Sequence, residues 1–364
     1  MRLPLFCCLV ALLSVLLSGC AVSPPVDSAY SPAFFYLTFT PNPTLNLQGS
    51  PGAAPRKSIP LNPPTDCSFY AVRPAPVGRW IAVEWECSFG PAVELFDTAS
   101  GKSHFALSDP TIDSRFLAWQ PDGRSIYLKI GTLSVPQTLR VDAATGKAVE
   151  LPVSPFAYDL AAAPDGSRIY YALSKGLGFG SEAWLAGPDG QNSSQLLLDG
   201  QNIIALAQYS PDGTRIAFIK MPDDQNAAPP GELWVMDSDG FNARKLADAD
   251  AGRGYSPVWS PDGTKIAFIG RQQPDRPEVL NLSIYNLSSS SLVSFPAASV
   301  TQPAWSPEGS MLAFSSYGSS TSALTPGASS GLLPGDTMEL WIYEVSSGKG
   351  SKLSTGACCA GWIR

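Results

Sequence analysis

An all-β fold assembled from repeated four-stranded units is what this sequence predicts, on three observations. The stretch YSPDGTRIAFIK from Tyr209 returns almost unchanged as WSPDGTKIAFIG from Trp259. Looser copies run along most of the chain, with motif prolines at 76, 121, 164, 211, 261 and 307, separated by 45, 43, 47, 50 and 46 residues. Between copies lie short runs of β-branched and aromatic residues broken by Gly, Asp, Asn and Ser, with no amphipathic helical stretch.

The first residues do not belong to that pattern. Arg2 precedes an apolar stretch, Leu5 to Leu17, that is short for a mature membrane span, and it ends in Leu17-Ser18-Gly19-Cys20. Small residues just before a cysteine resemble the lipobox of a bacterial lipoprotein signal. The resemblance implies that residues 1–19 are removed and that Cys20 carries the lipid. The alternatives are an ordinary signal peptide with a chance cysteine, or an uncleaved anchor. No other segment approaches the ~18 apolar residues of a span, so the rest is expected to lie outside the cytoplasm. Residues 20–32 read as a flexible tether and 33–364 as one domain, with clear repeats over 66–364.

The six motif copies start at Ala75, Gln120, Ala163, Ser210, Ser260 and Ser306. Within each, Pro presets φ for the first central position of a tight turn, Asp tolerates the second, and Gly accepts the positive φ that closes the hairpin. An aromatic stands two residues ahead of the proline in four copies: Trp119, Tyr209, Trp259 and Trp305. After the turn comes a β-rich run such as Ile-Ala-Phe. A third strand follows (ELWVMD from Glu232, LSIYNL from Leu282, ELWIYEV from Glu339), then a second turn and a fourth strand. Four antiparallel strands at this period are one blade of a β-propeller. The first copy departs most, with Val77 in place of Asp and no aromatic ahead of Pro76; the sixth has Glu308 for Asp.

Two leftovers set the blade number. TGACCAGWIR at the C-terminus looks like an inner strand, and AFFYLTFT and RKSIPL near the start look like strands without an inner partner. Joined, they make a composite seventh blade that ties the termini and leaves few free edges. Seven blades are favoured, with six the alternative.

These repeats resemble those of the TolB-type, WD-repeat-like β-propellers, whose hallmark is W-S-P-D-G-x-x-I-A-F followed by an L-W-V-M-D-x-D-G strand. The match covers roughly residues 66–364 and is tightest in the fourth and fifth copies. The resemblance implies an interaction platform in the cell envelope without transferring a partner. TolB itself is soluble and has an additional N-terminal α/β domain, which is not expected in this sequence. Prolyl oligopeptidases also carry a propeller, but their catalytic α/β-hydrolase domain has no counterpart here.

The net charge of −7, with nothing basic clustered, argues against a phosphate-binding surface, and no nucleic-acid partner is expected. Of seven cysteines, Cys67, Cys87, Cys358 and Cys359 remain after the signal and the lipidation site, an even number suited to an oxidising compartment. Cys67 and Cys87 lie ten residues either side of Val77, so a hairpin centred there sets them face to face. Either a disulfide or two buried thiols follows. Adjacent Cys358 and Cys359 form a vicinal bridge or have separate fates.

Catalytic signals are few. The single histidine, His104, falls on an outermost strand and is expected at the surface, so no Ser-His-Asp triad can be built. GLGFGS from Gly176 has no helix after it and reads as a flexible loop rather than a phosphate cradle. Asp248 and Asp250 lack the spacing of an EF-hand and read as a polar turn. No metal or cofactor is expected. Asp113, Asp159 and Gln302 come near the start of inner strands and could face the central channel, where paired carboxylates would support glycan hydrolysis or elimination.

Loop length is more informative. Four second-to-third-strand connections are long, from Ser174, Lys220, Gly270 and Ser315, and propeller topology sends them to one face. Phe179, Asp223, Asp224, Arg271, Arg276 and Tyr317 are the candidate binding residues there. The Ser/Gly-rich stretch 315–336 reads as mobile. The expected function is a monomeric, lipid-anchored extracytoplasmic platform for an envelope protein or a cell-wall glycan. The alternative is a carboxylate-dependent glycan hydrolase or lyase working in the channel.

Overall fold

The computed structural model describes residues 33–40, 42–109, 111–131, 136–224, 230–250, 255–271, 280–295, 300–317 and 338–364. Cys20, Arg276 and most of the Ser/Gly-rich stretch lie outside the described residues, as do the side chains of Arg271 and Tyr317.

Seven four-stranded antiparallel sheets make the molecule, a seven-bladed β-propeller. Blades 1 to 6 follow the chain. From innermost to outermost strand, blade 1 comprises Cys67–Pro74, Trp80–Cys87, Gly90–Asp97 and Lys102–Phe105. Blade 2 begins at Ser114, blade 3 at Ala157, blade 4 at Asn202, blade 5 at Val258 and blade 6 at Ala304. Blade 7 takes its innermost strand, Ala357–Ile363, from the C-terminus and the outer three, Ala33–Thr38, Thr44–Gln48 and Lys57–Pro60, from the other end of the domain. Thr44–Gln48 is the strand the sequence did not disclose.

Every pair of neighbouring blades encloses its own apolar cluster, seven clusters in all among the described residues. This explains why the strand after each motif is continuously apolar rather than alternating. In blade 4, Ile216 and Phe218 point into the cluster shared with blade 3, while Ala217 and Ile219 point into the one shared with blade 5. Burial of four such side chains in succession requires two cores, one on each side of the sheet.

The motif turn forms as its letters dictate. Gly213 N–H donates to the Ser210 carbonyl and Gly263 N–H to that of Ser260, each 2.8 Å, with φ +71° and +67° at the glycines. The motif aromatic has an interblade role. Trp119, Trp259 and Trp305 donate their indole N–H to the carbonyls of Arg73, Gln208 and Val258, 2.9–3.0 Å away on the preceding blade's inner strand. Blade 1 breaks the rule for a reason visible only in three dimensions. Gly78 N–H donates not within its own turn but to the Arg364 carbonyl at 2.7 Å, so this turn receives the chain end and seals the ring.

Cys67 and Cys87 are bonded, and their Cα atoms are register partners. Cys358 and Cys359 are also bonded to each other. His104 lies on the outermost strand of blade 1, as expected, but it is half-buried, edge-on to Trp80 at 5.7 Å, with Nε2 enclosed. Asp248 and Asp250 are not in a turn: the outer strand Arg244–Asp250 carries both, and Lys245 pairs with Asp248 at 2.7 Å.

Candidate functional site

Blade topology defines two faces. The motif turns and the third-to-fourth-strand turns share one, here the turn face. The second-to-third-strand loops and the blade-to-blade connections share the other, the loop face. The large apolar residues exposed among the described ones are unevenly spread between them. Phe89, Ile112, Phe156, Leu177 and Phe179 stand on the loop face, against Val77 and Phe241 on the turn face. The others, Val149, Leu198, Leu292 and Val293, sit on outermost strands, and Tyr70 on an innermost one.

Two of the loops that carry this apolar group, those of Phe156 and Phe179, are braced. Phe156 precedes the innermost strand of blade 3 and is 59% exposed. Lys129, from the second strand of blade 2, donates to the carbonyls on both sides of it, Ala157 at 2.6 Å and Pro155 at 3.2 Å. Burial lowers the Lys129 pKa below the ordinary lysine value. Phe156 N–H is taken by Ser154 Oγ. Two of its carbonyl neighbours are therefore fixed by a cation while the ring itself faces solvent.

Phe179 is 67% exposed at the tip of the glycine-rich segment, a loop held by several hydrogen bonds. Lys175 N–H donates to the Gly180 carbonyl, Phe179 N–H to that of Gly176, and Gly176 N–H to Ser174 Oγ. Gly180, with φ +73°, is pressed against the next connection: a Cβ there would lie 2.0 Å from the Asp199 carbonyl. Its N–H donates to Asp223 Oδ2 at 2.8 Å. Asp223 thus holds the blade 3 loop from blade 4, while exposed Asp224 beside it also has an interaction partner. These N–H groups are occupied by protein acceptors, which leaves no phosphate cradle.

The channel candidates prove to be interblade links. Asp159 lies on the innermost strand of blade 3 and accepts the Ala207 N–H at 2.9 Å, along with that of Leu206. These two residues form the bulge of the blade 4 inner strand, where Leu206 has φ +59°. Desolvation raises the Asp159 pKa to about 6, against the opposing pull of those N–H donors. Its neighbour Tyr158 donates its hydroxyl to the Ile204 carbonyl at 2.6 Å, fixing the same bulge. Gln302 donates from Nε2 to the Ser256 carbonyl of the preceding blade at 2.9 Å. Asp113 stands on the loop face, its side chain packed against Gly90 in the tight turn of blade 1 that exposes Phe89.

A recess of about 730 Å³ opens on the turn face between blades 3 and 4, lined by Pro164, Asp165, Arg168, Asp212, Thr214 and Asp239 among others. Its acids are engaged in their own turns. Asp165 accepts from Ser167, Asp212 from Ser210 and Thr214, and Asp239 from the Phe241 N–H. No group of three or more His, Cys, Asp or Glu arranged to hold a metal occurs among the described residues.

Sequence reading found Phe179 but missed Phe156 and Lys129. Nothing in SPFAYDL marks its Phe as exposed, because the preceding connection has no periodicity to read.

Residues 213–324 match the family model of the TolB beta propeller domain. Among solved structures the chain is similar to TolB from Acinetobacter baumannii, at 18% identity over 84% of this chain and 68% of that one, with TM-score 0.52. A putative TolB from Agrobacterium tumefaciens gives 18% identity, 72% and 88% coverage and TM-score 0.50. An oligogalacturonate lyase from Vibrio parahaemolyticus gives 13% identity, 89% and 85% coverage and TM-score 0.54. At these identities the likeness concerns the fold. No curated protein sequence matches the chain.

Proposed function

The chain is a seven-bladed β-propeller built on TolB-type repeats, and from that premise we propose that it is a lipid-anchored binding platform of the cell envelope whose loop face engages a protein partner. The observation that carries this reading is the excess of exposed apolar residues on that face, Phe89, Ile112, Phe156, Leu177 and Phe179, with Phe156 and Phe179 on braced backbone. Exposed aromatic side chains on pre-ordered loops lose little entropy on binding, and the excess of large exposed apolar residues favours this face as the interaction side.

Anchoring at Cys20 agrees with the topology. Ala33 pairs with Ile363 at the turn-face end of the innermost strand, where Arg364 meets Gly78. The chain from Cys20 therefore joins the ring on the turn face, and its twelve intervening residues reach at most about 40 Å. The attachment point then lies on the turn face and leaves the loop face unobstructed by it. The Cys67–Cys87 disulfide suits an oxidising, extracytoplasmic compartment. Replacing Cys20 by Ala should move the protein from the membrane to the soluble fraction; membrane retention would remove the anchor from this account.

Affinity capture from native membranes tests the loop face. Full-length protein and a Phe156→Glu/Phe179→Glu variant serve as baits, with Phe241→Glu as turn-face control. Loss of the same retained partner from the loop-face variant alone supports the proposal. Equal retention by all three sinks it.

A second reading, a glycan hydrolase or lyase in the channel, draws on the likeness to an oligogalacturonate lyase and on the raised pKa of Asp159. An Asp159→Asn variant assayed on cell-wall glycans separates the two: lost turnover with retained binding favours the enzyme.

A further inference from the structure

We propose that Cys358–Cys359 is a reactive disulfide site, a vicinal pair on the innermost strand of blade 7 that exchanges with an incoming dithiol, while Cys67–Cys87 is structural. The two bridges differ first in what they constrain. A cross-link stabilises in proportion to the logarithm of the loop it closes. Cys67–Cys87 spans 20 residues of hairpin, whereas Cys358–Cys359 spans one peptide bond and closes no loop of chain. Chain constraint is no reason for the second bond.

The backbone beneath it does not depend on the bond either. Cys359 has φ +59° and sits in a bulge where two residues, Cys359 and Ala360, oppose Tyr36 of the neighbouring strand. Blade 4 contains the same device without sulfur: Leu206 also has φ +59°, in a bulge of the innermost strand. In each case the preceding blade secures the bulge. Asp159 takes the N–H groups at Leu206 and Ala207, and Ser315 Oγ takes the Cys359 N–H at 3.0 Å. Ser315 is itself fully buried and tied to Thr301 through their backbone and hydroxyl groups. The bulge can therefore persist when the sulfurs part, which makes the opening reversible.

The two residues are unequally exposed. Cys358 is 0% exposed within the cluster between blades 7 and 1, while Cys359 is only partly buried. An attacking thiolate meets Cys359 Sγ, forms a mixed disulfide there, and expels Cys358 as thiolate. The second sulfur of the dithiol then attacks its own mixed disulfide, releasing Cys359. Two electrons and two protons pass from the dithiol, which leaves oxidised, to the cysteine pair, which leaves as two thiols.

Differential alkylation of the full-length, natively folded protein, read by peptide mass, tests this. Under titration with dithiothreitol, Cys358 and Cys359 should be labelled at concentrations about tenfold below those that open Cys67–Cys87, with the β-sheet circular dichroism unchanged. Removing the dithiol in air should restore the bridge. With glutathione as a single thiol, the adduct should fall on Cys359 and not on Cys358. Opening of Cys67–Cys87 first, labelling of the vicinal pair only on unfolding, or an adduct on Cys358 would each overturn the proposal. A Ser315→Ala variant, if folded, should keep the labelling order while loosening the bulge; no variant is needed for the primary readout.

Discussion

At the residue scale, side chains that looked functional hold the ring together. Asp159 lies on an innermost strand, and its carboxylate accepts N–H groups from blade 4. Because its folded pKa is raised, from 3.8 to about 6, the protonated form is favoured by folding. The stabilising contribution is therefore fully present below about pH 4 and is lost as pH rises through about 6. Asp159→Asn should stabilise the protein relative to wild type more at pH 7.5 than at pH 4. The gap should change by about 3 kcal/mol, taking roughly two pK units at 1.36 kcal/mol each. Thermal unfolding at the two pH values measures it, and a pH-independent difference would mean that Asp159 is solvated after all. The interblade tryptophans give a second prediction. Trp259→Phe keeps the ring and deletes the donor to Gln208, leaving a carbonyl short of its partner at a cost of about 1–3 kcal/mol. Urea titration should show a lower midpoint with an unchanged m-value.

At the element scale, the hairpin of blade 1 explains its own irregular motif. Val77 in place of the turn aspartate weakens the local turn chemistry, and two other bonds take over: Gly78 to Arg364, and the disulfide. Replacing Cys67 and Cys87 together by Ser should cost about 3 kcal/mol, the chain-entropy value for a loop of this size. Chemical denaturation of the double variant checks it, and an effect below about 0.5 kcal/mol would leave the bridge without a stabilising role. The even spacing of the two cysteines about Val77 anticipated this pairing, though the register is not a simple hairpin. A bulge at Tyr70 shifts it by one residue, so that Pro74 faces Ile81 while Cys67 still faces Cys87. Bulges are the least legible feature of this chain, since alternation is suspended where a strand is buried on both faces. Thr44–Gln48 was missed for a different reason: TLNLQ does alternate, but five residues enclosed by proline-rich sequence make too short a signal to read.

At the scale of the whole molecule, the repeat period and the unmatched ends made the ring and its closing blade legible. Blades 4 and 5 could be written from their letters alone, because local turn chemistry and the two-core packing act on the same residues. Deleting Ala357–Ile363 should prevent closure, exposing the Ala33–Thr38 edge and the clusters on both sides of blade 7; aggregation in place of a cooperative transition is the expected outcome. The proposed binding site was legible only in part. Long connections pointed to the loop face, but the side chains that distinguish it, Phe156 above all, gain meaning from Lys129 and Ser154, which only the fold brings to them. The most direct measurement is photo-crosslinking in intact cells, with a photoreactive amino acid placed singly at Phe156, Phe179 or Phe241. The account predicts a common crosslinked partner from the two loop-face positions and none from Phe241. A partner trapped from Phe241 but from neither loop-face position would contradict it and move the binding surface to the turn face.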